Sequence, residues 1–120
     1  MRWDLEYTDE FGAWFDGLSG AEQDAVALKV QLLEAVGVAL DYPHSSSVRG
    51  SRHGNLRELR IQHGGEPYRV LYAFDPQRTG VLLIGGSKVG NDRWYERMVP
   101  IADRLYHEHL AHLKREGKRR

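Results

Sequence analysis

A chain of 120 residues with 41% hydrophobic and 28% charged residues can bury one core and has the balance of an ordinary globular domain. It has no cysteine, which excludes disulfides and thiolate-held metals and fits a reducing compartment. The net charge of zero hides a division: residues 1–47 carry two basic and nine acidic side chains, net −7, and residues 48–120 carry fifteen and eight, net +7. Such a split suggests one basic face able to meet a polyanion, unless the two signs mix in space on folding.

The start, Met1 to Glu6, lacks the apolar stretch of a signal sequence, and no run approaches membrane-spanning length. A cytoplasmic protein is expected. Trp3, Leu5 and Tyr7 alternate with charged residues and predict a short strand with one buried face. Thr8 or Asp9 can cap a helix whose stripe is Phe11, Trp14, Phe15 and Leu18. Ser19-Gly20-Ala21-Glu22 has the form of a capping box, so a second helix should start there and carry Val26, Val30, Leu33, Val36 and Leu40. The two helices make an acidic hairpin to be packed on a sheet. Asp41 to Asn55 is polar, basic and without periodicity, and reads as a long loop that Pro43 opens.

Residues 56–88 carry the organisation of the chain. Leu56–Gln62, Tyr68–Phe74 and Val81–Ile84 read as three strands joined by short turns, which favours an antiparallel meander. Val81–Ile84 is apolar without alternation and predicts burial on both faces. Val89–Asp92 is a turn, with Asn91 or Asp92 as the cap of a last helix. Pro100 must kink that helix or begin a new one. Ile101, Ala102, Leu105, Tyr106, Leu110 and Leu113 form its apolar strip, and 114–120 is a basic tail expected to fray. The reading is one α+β domain over 1–120: a small, mostly antiparallel sheet, an N-terminal two-helix hairpin and a C-terminal helix.

Several motifs fail on spacing. His107-Glu108-His109-Leu110-Ala111-His112 has Ala111 where a zinc protease needs histidine. His109 and His112 stand at helical spacing but lack an evident third ligand, so no metal site is assigned. Gly85-Gly86-Ser87-Lys88 is not a phosphate-binding P-loop, and no G-x-S-x-G elbow is present. Arg57, Arg60, Arg69, Lys88 and Tyr95 remain, with Glu58, His53 and His63 near them in sequence. Cations on adjacent strands can hold a phosphodiester and stabilise the added charge of its transition state. An RNA substrate supplies its own 2′-hydroxyl nucleophile. The structural alternative is that Arg60 and Arg69 simply pair with Glu58 or Glu66.

Leu56-Arg57-Glu58-Leu59-Arg60, Tyr68 to Pro76, Leu82 to Lys88, Asp92 to Glu96 and Ala102 to Leu110 together resemble the RelE/HigB superfamily of toxins from type II toxin–antitoxin systems, in its phage-derived HigB-like branch. The resemblance spans nearly the whole chain. It implies a RelE-like fold and a ribosome-dependent endoribonuclease that needs no cofactor. Such an enzyme cuts mRNA in the ribosomal A site and leaves a cyclic phosphate and a 5′-hydroxyl. It places catalysis on Arg60, Arg69, Lys88 and Tyr95, and RNA contact on Arg57, Arg52, His53 and Arg93. Arg69 matches the arginine of a Tyr-Arg pair, Lys88 the basic residue closing the last strand, and Tyr95 an aromatic that stacks on or orients a base. Glu58 and Gln62 depart from the pattern, standing where RelE has further basic residues. The general base is open, with His53, His63 and Asp92 as candidates. The implied partner is a HigA-type helix-turn-helix antitoxin, giving a hetero-oligomer; ribosome and mRNA are the others, and no membrane is implied. The alternative is a catalytically silent protein of the same fold that binds RNA, the ribosome or that partner.

Overall fold

The computed structural model describes residues 2–90 and 93–118. Its elements are β1 (Leu5–Tyr7), α1 (Asp9–Asp16), α2 (Gly20–Val36), a 3₁₀ turn (Gly37–Ala39), β2 (Ser45–Ser47), β3 (Arg57–His63), β4 (Glu66–Phe74), β5 (Gly80–Ser87) and α3 (Trp94–Lys118). The strands lie in the order β1-β5-β4-β3-β2. β2 through β5 pair antiparallel, and β1 joins β5 in parallel. The meander is the one the short turns predict. β3 and β4 run further toward their shared turn than expected because Gly64 and Gly65, both at positive φ, close the first hairpin in two residues.

Helix starts follow local chemistry. Thr8 is the cap of α1 and accepts from Phe11 N–H at 3.0 Å, while its hydroxyl donates to the Leu83 carbonyl at 2.6 Å, tying the helix to β5. Ser19 and Glu22 close the capping box of α2. Asn91 and Asp92, the expected caps of α3, lie outside the described residues. Pro100 does not begin a new helix: α3 runs through it, and the Glu96 carbonyl loses its helical donor there. The helix continues through the basic end expected to fray, as far as Lys118; Arg119 and Arg120 lie outside the described residues.

The sheet has a core on each face. Phe11, Val26, Leu33 and Leu40 meet Leu59, Ile61, Val70, Tyr72 and Leu82 on the side covered by α1 and α2. Leu71, Ala73, Val81 and Leu83 meet Trp94, Val99, Ala102, Leu105 and Tyr106 of α3 on the other. β5 is therefore buried on both faces, as its unbroken apolar run predicts. Two expectations are corrected. Tyr7 does not join a buried face; it is 68% exposed, because β1 is an edge strand of three residues. The stretch Asp41 to Asn55 is not wholly loop, for Ser45–Ser47 forms β2. Three serines carry no periodicity. The strand is held by pairing with β3 and by Ser45, whose hydroxyl is buried against Tyr72 OH at 2.5 Å.

Gly85 and Gly86 explain how α3 and α1 grip the same strand. A Cβ on Gly85 would lie 2.3 Å from the Trp14 ring, and one on Gly86 would lie 2.7 Å from Trp94 Nε1. Each tryptophan presses on bare backbone. Trp94 seated there fixes the first turn of α3, and with it Tyr95.

Candidate active site

Side chains two apart on a strand share a face. Glu58 and Arg60 of β3 therefore point to the same side, and the register sets Arg60 opposite Arg69 of β4. That side is the one α3 crosses. Glu58 is 5% exposed and Arg69 6%, values at which an ionised group needs partners. Glu58 Oε1 lies 3.4 Å from Arg69 Nε and accepts a hydrogen bond from the Tyr95 hydroxyl. Its Oε2 accepts from Ser46 Oγ at 2.7 Å and from Arg60 Nη1 at 3.3 Å. Arg69 Nη1 donates to the Tyr68 carbonyl at 2.9 Å. Arg69 Nε, although near Glu58, has no acceptor in hydrogen-bonding geometry. A buried N–H in that state carries a cost of about 1–3 kcal/mol. It marks the place where an added acceptor would be welcome.

Tyr95 links this pair to the end of β5. Lys88 Nζ lies 4.7 Å from the Tyr95 ring centroid, a cation–π distance, and the Lys88 backbone donates to the Pro67 carbonyl at 2.8 Å. Burial, helped by the hydrogen bond to Glu58 and that carboxylate's charge, pushes the Tyr95 phenol up to about 12, although Arg69 acts the other way. Tyr95 is thus a neutral hydroxyl at physiological pH. The cluster holds three cations and, among the described residues, one carboxylate, so it carries excess positive charge.

Arg60, Arg69, Lys88 and Tyr95 are brought together. Arg57 is not. It faces α2, donating to Ser45 Oγ at 3.1 Å and to the Leu40 carbonyl at 3.2 Å, with Asp41 3.7 Å away. Arg52 and His53 lie on the loop that docks against the middle of α3, lining a cleft of about 520 Å³ with Asp103 and His107. Asp103 holds that loop through Ser51 Oγ at 2.6 Å and Arg52 N–H at 3.0 Å, and His53 meets Tyr106 edge to face. Arg93 is exposed just before α3. His63 lies at the far end of β3, on the side of Glu22, whose carboxyl is held down chiefly by the Tyr68 hydrogen bond and by Ser19 with His63 adding least, and Asp92 is outside the described residues. His109 bonds to the buried Asp75 at 2.8 Å, and His112 faces Glu116 at 3.7 Å, so the two do not converge.

Sequence reasoning underrated Glu58 and Ser46. Glu58 appeared as a departure from a basic pattern, yet it is the hub that every other cluster residue except Lys88 touches. Strand alternation gave the signal, since Glu58 and Arg60 had to share a face. Its burial came from Ser46 and Tyr95, both remote in sequence.

A small meander with one helical layer on each face is a RelE-like α+β fold. The fold is that of Escherichia coli RelE in a mutant form solved free, with TM-score 0.57 at 12% identity, covering 82% of this chain and 96% of that one. RelE in the RelE–RelB complex of Pyrococcus horikoshii matches with TM-score 0.55 at 18% identity, over 75% and 99% of the two chains. Residues 13–107 match the family model described as "Phage derived protein Gp49-like (DUF891)", and the chain belongs to that family. Two Mycobacterium tuberculosis relatives bear the names "Putative toxin HigB2", 39% identical over 105 residues and 86% of this chain, and "Putative toxin HigB3", 40% identical over 99 residues and 82% of it. The chain spans about half the length of the first, 52%, and 85% of the second.

Proposed function

We propose that this protein is the toxin of a toxin–antitoxin pair and cuts mRNA on the ribosome, with the RNA's 2′-hydroxyl as nucleophile and no metal in the chemistry. The observation that carries the reading is the cluster itself: Arg69, Arg60 and Lys88 around one carboxylate and one neutral phenol. The names of the mycobacterial relatives support the toxin role.

In this mechanism the scissile phosphate binds the guanidiniums of Arg60 and Arg69. Both guanidiniums stabilise the dianionic pentavalent transition state. The 2′-hydroxyl hydrogen-bonds to the Tyr95 oxygen. As O2′ attacks phosphorus, its proton passes to Tyr95 while the phenol proton passes to Glu58. The P–O5′ bond breaks, Lys88 protonates the leaving oxygen, and the products are a 2′,3′-cyclic phosphate and a 5′-hydroxyl. The antitoxin is a HigA-type helix-turn-helix protein that neutralises the toxin by contact. The Pyrococcus RelE solved with RelB supports a proteinaceous partner.

A second reading has one observation in its favour. Glu58 already occupies Arg60, Arg69 and Tyr95, as a purely structural hub would. A silent protein of this fold would bind the ribosome without cutting. The test adds purified protein to ribosomes programmed with a defined mRNA and maps new 5′ ends, beside an Arg69→Ala/Lys88→Ala double variant. Cuts at the A-site codon by the parent protein alone are expected. Ribosome binding without cuts would establish the silent reading instead.

A further inference from the structure

β2 ends at Ser47 and begins only at Ser45, so the outer edge of β3 beyond Arg60 is left without a strand. The chain before β2 crosses that gap: the His44 carbonyl accepts from Arg60 N–H at 2.9 Å. Between this crossing, α2 and the end of β3 lies a cleft of about 370 Å³ lined by Lys29, Tyr42, Pro43, Arg60, Gln62 and Arg69. Its lining holds three cations and no carboxylate. Lys29 Nζ donates to His44 Nδ1 at 2.7 Å, a neutral partner when Nδ1 is the acceptor, so its positive charge meets no counter-ion there. Arg60 forms the wall shared with the Glu58 cluster: Nη1 bonds Glu58, and its guanidinium carbon sits 5.2 Å from the centroid of the Tyr42 ring. Tyr42 is 70% exposed, so the ring, oriented by the cation on one face, keeps much of its surface open.

We infer that this cleft is a second nucleotide subsite for single-stranded RNA, with Tyr42 stacking on a base and Lys29 binding the phosphate next to the scissile one. The inference rests on the proposed RNA chemistry and extends it along the strand. With the leaving oxygen of the reacting phosphate at Lys88 on the β5 side, the nucleotide on the phosphate's other side runs past Arg60 toward Tyr42 and Lys29. A charged wall with an exposed aromatic platform is how single strands are held without reading sequence. Gln62, exposed on the face shared with Arg60, presents an amide to the edge of the stacked base. Arg60 and Arg69 on its shared wall belong to the bond-breaking machinery, whereas Lys29 and Tyr42 serve substrate affinity alone.

The test measures a fluorescein-labelled pentanucleotide RNA made uncleavable by 2′-O-methyl groups, by anisotropy, against the full chain. Tyr42→Ala should raise the dissociation constant at least about fivefold, the low end for loss of one stacked base, and Tyr42→Phe should leave it unchanged. Lys29→Gln should weaken binding and lower the salt slope by about 0.7, the value for one single-strand phosphate contact. Tyr42 is exposed and Lys29 half-buried, and melting curves matching the parent confirm the fold. Binding equal to the parent in Tyr42→Ala and Lys29→Gln overturns the subsite, as does failure of the parent to bind the oligonucleotide. Neither result touches the proposed cleavage, which is read separately on programmed ribosomes with Arg69→Ala. Absence of cleavage by the parent protein there, with the Tyr42 and Lys29 effects intact, would keep the subsite and remove the reaction.

Discussion

Arg57 and Arg60 stand three residues apart on one strand and have opposite fates. Arg57 faces α2, where Ser45, the Leu40 carbonyl and Asp41 take up its donors. Arg60 faces α3, where it shares Glu58 with Arg69 and borders an open cleft. One arginine fastens a loop to the sheet and the other contributes to a charged site. Residue type is the same; the period of two along the strand, and what covers each face, decide the role. A run of arginines in a sequence is thus no measure of a basic surface until the faces are sorted.

Removing the hub should break the α3-face arrangement most severely. Glu58→Ala leaves Arg69 buried without a counter-charge and should destabilise the fold by roughly 3–5 kcal/mol, against which Glu58→Gln should lose less. Thermal denaturation checks both. Next in size is the contrast between the two arginines. Arg69→Ala should slow cleavage by at least about 100-fold, as loss of a transition-state donor does. Arg57→Ala should leave the rate within about twofold and cost about 1–2 kcal/mol of stability through its lost hydrogen bonds.

The third effect is on titration. The Tyr95 phenol lies at about 12, above the ordinary tyrosine value near 10. A group raised in the folded state stabilises it fully below the unfolded value, and that contribution is lost as pH rises from about 10 through about 12. Tyr95→Phe should therefore flatten the alkaline loss of stability in that window, and the tyrosinate absorbance of the parent should show two phenols not yet ionised near pH 11, Tyr95 and Tyr68, whose hydroxyl is held up chiefly by its hydrogen bond to Glu22. The smallest effect belongs to the α1–α2 side. Thr8→Ala removes the cap of α1 and should cost about 1 kcal/mol with no change in cleavage rate, a melting and kinetic comparison that isolates helix docking from the site.

Much of the fold was legible because its signals are local. The Ser19–Glu22 box, the Thr8 cap, the apolar run of β5 and the short turns each act within a few residues. What stayed hidden depends on distant partners. β2 exists because β3 offers an edge to three serines, and β1 joins β5 in parallel through an edge no local pattern announces. Within the candidate cluster, Arg60, Arg69, Lys88 and Tyr95 were nameable from strand ends and a resemblance. Arg57 was grouped with them by counting cations without sorting faces, and the fold sets it on the α2 side. Glu58 was passed over because a carboxylate in a basic pattern reads as an exception, and only Ser46 and Tyr95, packed on it from β2 and α3, make it central.

The most direct test of the account is a single-turnover cleavage rate on mRNA-programmed ribosomes for Arg57→Ala and Arg69→Ala side by side, with both variants shown to fold. The account predicts a rate close to the parent for the first and a loss of at least about 100-fold for the second. Equal losses in the two, or full activity in Arg69→Ala, would contradict the assignment of chemistry to the α3 face.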